Sequence, residues 1–280
     1  MDIAVVTDST AYLPASLAAR HRISVVALHV VLAGRTGAET VEVGPGEVAA
    51  ALGERRVMVT TSRPAPGEFA EAYRATAAAQ VVSVHLSSAL SGTVDSARLA
   101  AALVLAEGIE VQVLDSRTIA MGLGFAAIAG AETAATGADL ATVAGCVRQV
   151  AAATTSLFYV DSLEYLRRGG RITAAAAFVG TALGVKPLLH VVDGQIAVVE
   201  KVRTSSRALA RLEQLAVEAA GAGPVDLAVH HLAAEARTTQ LADRLRARVP
   251  GLRTLSLSEV GAVVGAHVGP GLLGVVVSPR

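Results

Sequence analysis

Apolar and polar positions alternate along the first half of the chain in two registers. Short β-type runs, Ile3–Val6, Ser24–Leu32, Val57–Val59, Val81–Leu86 and Val111–Leu114, are separated by alanine-rich stretches with helical spacing, among them Gly67–Ala79 and Asp95–Ala106. Strands that alternate with amphipathic helices predict a parallel sheet with crossover helices, and ligands of such sheets collect at the carboxyl ends of the strands. After Thr155 the pattern changes. Pro187–Val192 and Ile196–Val199 flank Asp193-Gly194, a strong hairpin signal that implies antiparallel pairing. A helix Ser205–Ala220, a strand Val225–His230, a helix Ala233–Arg248 and strands near Arg253–Leu257 and Leu272–Val277 follow. The fold class expected is α/β in two domains: a Rossmann-like parallel sheet flanked by helices over 1–155, and a two-layer mixed sheet with helices over 156–280.

The stretch Val260–Pro279 carries no charge over about the length of a bilayer span. Its repeated glycines and the closing Leu272–Val277 run argue instead for a buried strand, so no transmembrane segment is expected. With 52% hydrophobic residues and a formal charge of zero, the chain can bury one large or two medium cores. Scattered arginines in a neutral chain speak against nucleic acid as a partner. The single cysteine, Cys146, cannot form an internal disulfide and reads as a buried helix position. With no export signal before the first strand, the expected location is the cytoplasm.

Candidate chemistry gathers at strand ends. Ser87-Ser88-Ala89-Leu90-Ser91-Gly92-Thr93 follows one strand and precedes a helix, so it offers hydroxyls, a glycine and helix N–H groups to an anion. Thr60-Thr61-Ser62-Arg63-Pro64 repeats that arrangement, and the two loops suggest one shared site. Asp8-Ser9, Asp115-Ser116 and Asp161-Ser162 each end a strand; three carboxylates could hold Mg²⁺, but Asp and Ser are also preferred helix caps, which favours capping. His85, His190 and His230 lie inside apolar runs and read as hydrogen-bonded core residues. His267, in Gly265-Ala266-His267-Val268-Gly269-Pro270-Gly271, reads as a loop residue with a site role. Arg167-Arg168-Gly169-Gly170-Arg171 sets three guanidinium groups around a Gly-Gly bend, suited to carboxylate or phosphate. The small uncharged run Ile172–Val185 fits either a ligand tail or close helix packing. No phosphate-binding glycine motif and no Cys/His metal spacing occurs, so neither a nucleotide cofactor nor a metal is expected.

Taken together, Asp8-Ser9-Thr10, Thr61–Phe69, Ser87–Thr93, Asp161–Ile172 and His267–Pro270 closely resemble the DegV family, in order and spacing nearly end to end. Ala65 and Ala89 stand where relatives often carry another small residue. The resemblance implies a lipid-binding subunit of a bacterial fatty acid kinase system, not itself an enzyme. Such proteins hold a long-chain fatty acid between two α/β domains, with the tail in an apolar tunnel, while a separate kinase subunit phosphorylates the carboxylate with ATP. By motif position, Thr61, Ser91 and His267 would contact the carboxylate, with Ser62, Gly92 and Arg168 beside them; Arg171 and Arg203 would face the kinase or its phosphate. Competing expectations are a serine-dependent hydrolase using Ser91 and His267, and the substrate subunit of a dihydroxyacetone-type kinase.

Overall fold

The computed structural model describes residues 3–54, 58–172 and 186–280. In chain order its first half comprises β1 (Ile3–Asp8), α1 (Ala15–Arg20), β2 (Ile23–Val26), β3 (His29–Leu32), β4 (Arg35–Ala38), α2 (Pro45–Gly53), β5 (Val59–Ser62), α3 (Pro66–Ala75), β6 (Gln80–His85), α4 (Thr93–Leu105), β7 (Glu110–Asp115), α5 (Met121–Ala135) and α6 (Leu140–Ala153). The remainder comprises β8 (Thr155–Tyr159), α7 (Glu164–Arg168), β9 (Lys186–Val192), β10 (Gln195–Val202), α8 (Ser205–Ala220), β11 (Val225–His231), α9 (Glu235–Arg248), β12 (Leu252–Glu259), α10 (Ala262–Val268) and β13 (Leu273–Pro279). Two compact units result: residues up to His29 with Ser62–Ala153, and Val30–Thr61 with Thr154–Arg280.

The first unit is built on a parallel sheet in the order β2-β1-β6-β7. Its central strands are apolar on both faces, as a sheet covered on both sides requires. On one side Phe69 and Tyr73 of α3 and Ala97, Ala100 and Val104 of α4 pack on Val6 and Val81. On the other lie α5 and α6, with the missing side chain of Gly130 admitting Val147 and Val5. An open depression of about 1010 Å³ at the N-terminal ends of β1 and β2 is lined by Arg22, Ile23, Ala78 and Ala131 among others. The polar loops lie at the carboxyl ends of the strands.

The second unit carries a mixed sheet in the order β10-β9-β8-β13-β11-β12, in which only β11 and β12 run parallel among the paired strands. Its core joins Leu157, Tyr159, Leu188, Leu227 and Val275 of the sheet to Leu212 of α8 and Leu241 of α9. Asp193 (φ 51°) and Gly194 (φ 79°) both take positive φ between β9 and β10, the turn that the Asp-Gly signal predicts. A small sheet, β4-β3-β5, adds to this unit.

Several expectations differ from what the structure holds. The run Ser24–Leu32 is two strands, β2 in the parallel sheet and β3 in the small one, so residues 30–61 group with the second unit rather than with 1–155. The strand expected at 57–59 is β5, which runs on through Ser62; Val57 lies outside the described residues, as do 173–185 of the small-residue run. The uncharged stretch from Val260 is a short helix followed by a strand, and no described helix is long and apolar enough to cross a membrane. Cys146 is half-buried rather than buried, its thiol 3.8 Å from the Ala129 carbonyl.

Candidate functional site

At the carboxyl end of β6 the hydroxyl loop is tied down from two sides. Ser87 donates its N–H to the Thr118 carbonyl at 2.9 Å, and Asp115 at the end of β7 accepts from the Ser88 hydroxyl at 2.5 Å and the Ser88 N–H at 3.2 Å. The loop closes into α4 with Ser91 and Thr93 hydroxyls 2.8 Å apart. Gly92 between them is a close-approach glycine. A Cβ there would strike the Arg63 guanidinium, whose Nη1 donates to the Gly92 carbonyl at 3.4 Å. Arg63, although inside a motif the sequence singled out, was not among the site residues expected; its partner stands 29 positions away, so only the glycine hinted at it.

Below the loop, Asp8 accepts from Thr10 N–H (3.1 Å), the Thr10 hydroxyl (2.5 Å) and Leu86 N–H (3.0 Å), capping the turn Ser9–Ala11. His85 Nδ1 lies 3.1 Å from Asp8, and its Nε2 lies 2.7 Å from the Ser83 hydroxyl. This Ser83–His85–Asp8 order copies the connectivity of a hydrolase triad, but all three are 0% exposed. A nucleophile no substrate can reach does no acyl chemistry, so the network is structural. His230, hydrogen-bonded to the Ser258 hydroxyl at 3.0 Å, is likewise a core histidine. Asp161 accepts from Tyr159 and Lys186, while Ser162 Oγ accepts Glu164 N–H at 3.1 Å ahead of α7, whose N-cap is Leu163 with no side-chain cap bond. Among the described residues no three metal-ligating side chains gather.

In the second unit Thr61 and His267, 206 positions apart, meet: Oγ1 and Nε2 are 2.9 Å from one another. His267 sits in the last turn of α10, not in a loop; the glycine bend begins after it, with Gly269 at φ 75° and Gly271 at φ 88°. Burial, assisted by the positive charge of Arg171, lowers its pKa from 6.5 to about 4. At neutral pH the ring is therefore uncharged, with one N–H donor and one acceptor nitrogen.

The two arginine-glycine and glycine-histidine motifs are one structure. A Cβ on Gly169 would run into the His267 ring, and one on Gly269 into Tyr165 of α7. Gly170 (φ 69°) supplies the left-handed residue that turns the chain out of α7, bringing Arg171 N–H to the Leu166 carbonyl at 3.0 Å. Arg171 is half-buried, its guanidinium donating to the Gly169 carbonyl, and it is the cation whose field reaches His267. Arg168 points outward and pairs with Glu164. Arg203, just past β10, is exposed, as is Ser62 at the end of β5. The arrangement offers an anion a hydroxyl, a neutral imidazole and a nearby guanidinium.

A family model described as an uncharacterised protein of the DegV family matches residues 2–280. The chain is 56% identical over 281 residues to DegV domain-containing protein SCO2569 of Streptomyces coelicolor, covering 99% of each chain. It is 36% identical to Protein DegV of Bacillus subtilis, over 98% of each. Among solved structures, a fatty-acid-binding DegV family protein from Thermus thermophilus superposes with a TM-score of 0.93 at 32% identity, over 100% of both chains. DegV of Bacillus subtilis, described as a fatty acid binding protein, does so with a TM-score of 0.91 at 34% identity, again over 100% of both. The expected kinship holds: this chain belongs to the DegV family.

Proposed function

We propose that this protein binds a long-chain fatty acid and presents its carboxylate to a separate ATP-dependent kinase subunit, which transfers the γ-phosphoryl group to a carboxylate oxygen and releases ADP and an acyl phosphate. The observation that carries this reading is the Thr61 hydroxyl held 2.9 Å from an uncharged His267. Two solved relatives described as fatty-acid-binding support it. With His267 Nε2–H donating to Thr61 Oγ1, the Thr61 hydroxyl turns its own hydrogen to a carboxylate and orients it through a neutral donor, which leaves the oxygen nucleophilic toward phosphorus. The tail supplies the affinity: at ~0.8 kcal/mol per methylene, a buried chain of about fifteen contributes on the order of 12 kcal/mol before entropic costs. Thr61 and His267 are the proposed head-group contacts, and Ser91 in the first unit is tested in the same assay on its own account. Exposed Arg203 suits the acidic or phosphate-bearing surface of the kinase. The protein performs no bond-making alone and works in the cytoplasm, where ATP is available.

The experiment is mass spectrometry of gently purified protein and of its organic extract, followed by titration with palmitate. A co-purifying or added fatty acid bound one to one is the expected result; absence of both would overturn the reading. Adding the kinase subunit with ATP and trapping acyl phosphate with hydroxylamine then tests presentation. Thr61→Ala, Ser91→Ala and His267→Ala should each lower trapped product more than tail affinity, and Arg203→Ala should weaken the dependence on kinase concentration.

A further inference from the structure

Glu39 follows directly after β4 and is 0% exposed. Its Oε1 accepts the backbone N–H of Val263 at 2.8 Å, in the first turn of α10. That helix has seven residues, and its N-cap, Gly261, makes no side-chain cap hydrogen bond. A helix this short has too few internal bonds to hold its own direction, so its ends decide where it points. His267 stands four residues beyond Val263, one turn on, on the helix whose orientation that bond sets.

The frame that holds Glu39 is stiff. Ala38 N–H donates to the Glu42 carboxylate at 2.7 Å, the Val43 N–H reaches the Ala38 carbonyl at 3.2 Å, and Glu39 and Val43 form a bridge. Gly37 admits Val43 where a Cβ would lie 2.7 Å from it. Along the helix, Gly265 lets Leu232 and Val48 approach within 3.3 and 3.8 Å of where its Cβ would be. Rotation of α10 is thus limited by packing on Gly265, and its axial position by the carboxylate at its start.

We propose that Glu39 is a positioning residue for the head-group site, holding α10 so that His267 meets Thr61. A buried carboxylate is costly to keep, and an apolar residue would serve a purely structural loop at less expense. The proposal rests on the reading of Thr61 and His267 as head-group contacts.

Glu39→Ala and Glu39→Gln in the full chain test it, the glutamine retaining an acceptor oxygen. The first measurement is the ¹⁵N spectrum of the His267 ring in ligand-free protein. The second is affinity for palmitate and for hexadecanol, which has the same tail and no carboxylate. Glu39→Ala should move the His267 resonances and weaken palmitate about tenfold, the size of a lost cap, with hexadecanol within about twofold. Glu39→Gln should restore most of both, and Glu39→Ala should add nothing in a His267→Ala background. Equal losses for acid and alcohol, additive losses, or unmoved His267 resonances would each overturn the proposal. Should Glu39→Ala not fold, Glu39→Asp, which draws the carboxylate back by one methylene, carries the same comparison. Failure of the fatty-acid reading is distinct: wild-type protein would bind neither compound, and the ligand-free spectra would decide the role of Glu39 by themselves.

Discussion

The imidazole of His267 lies against the Cα of Gly169, so close that any side chain there would occupy the position of Nδ1 and Cε1. The Gly-Gly pair among the arginines therefore divides two duties. Gly169 has an ordinary helical φ of −74° and is needed for space, whereas Gly170, at φ 69°, is needed for its backbone. A bend that looks from sequence like flexibility is a socket for a ring.

Gly169→Ala isolates the first duty, because alanine adopts this backbone freely and any effect must come from the methyl group. Overpacking of this kind costs about 1–3 kcal/mol. The ring should be pushed off Thr61, and palmitate affinity should fall while the folded content at 25 °C is kept. Isothermal titration measures it, and an affinity equal to wild type would show that the ring's position does not matter to binding.

Stability should decline in mild acid chiefly because of two histidines, with His190, which burial also lowers, acting in the same direction. His267 and His230 both drop from 6.5 to about 4 in the folded protein, chiefly through burial. Between these values the unfolded chain binds a proton at each site and the folded chain does not, so stability rises with pH across the window and the dependence ends above 6.5. Each site contributes on the order of 3 kcal/mol if the window is traversed fully. Urea midpoints between pH 6.5 and 5, above the range where most carboxylates titrate, give the slope. His230→Asn should flatten it, and a flat wild-type profile would refute the assignment.

Periodicity made the parallel sheet, the Asp193-Gly194 hairpin and α8 legible, since each has a local signal: a repeat, a turn dipeptide, an amphipathic face. The displacement of residues 30–61 had none, because Val25 through Val31 is one apolar run and the break between β2 and β3 changes sheets without changing composition. Gly261 and Gly265 disguised α10 as a loop, although Gly265 is what lets Leu232 and Val48 come close to the helix. Thr61 and His267 were brought together only by resemblance; no property of either segment announces a partner 206 positions away. The same resemblance set Arg168 at the head group and Arg171 outside it, while the structure puts Arg171 nearer His267 and Arg168 at the surface.

Arg63 and Gly92 should behave as a coupled pair. Gly92 has φ −76°, so alanine costs nothing in the backbone, but its methyl group would meet the guanidinium. Arg63 is exposed and can swing aside, so Gly92→Ala should lower stability by at most about 0.5 kcal/mol in wild type and should raise it slightly in an Arg63→Ala background. A double-mutant cycle on urea midpoints reads the coupling, and additive effects would mean that Arg63 does not rest on the glycine in solution.

Ala120 offers the opposite test, a residue that should be improved by glycine. It caps α5 at φ 56° and ψ −146°, beside the region that only glycine visits readily, within the loop whose Thr118 carbonyl anchors Ser87 at 2.9 Å. Strain of this kind costs about 1–3 kcal/mol, against about 0.5–1 kcal/mol of added unfolded-state entropy for glycine and about 0.8 kcal/mol for the buried methyl group lost. The balance favours Ala120→Gly by roughly 0.5 kcal/mol, which should appear as a higher urea midpoint with an unchanged slope. If stability falls instead, the surroundings do not hold Ala120 in that conformation, and the buttress under the serine loop is looser than its hydrogen bonds imply.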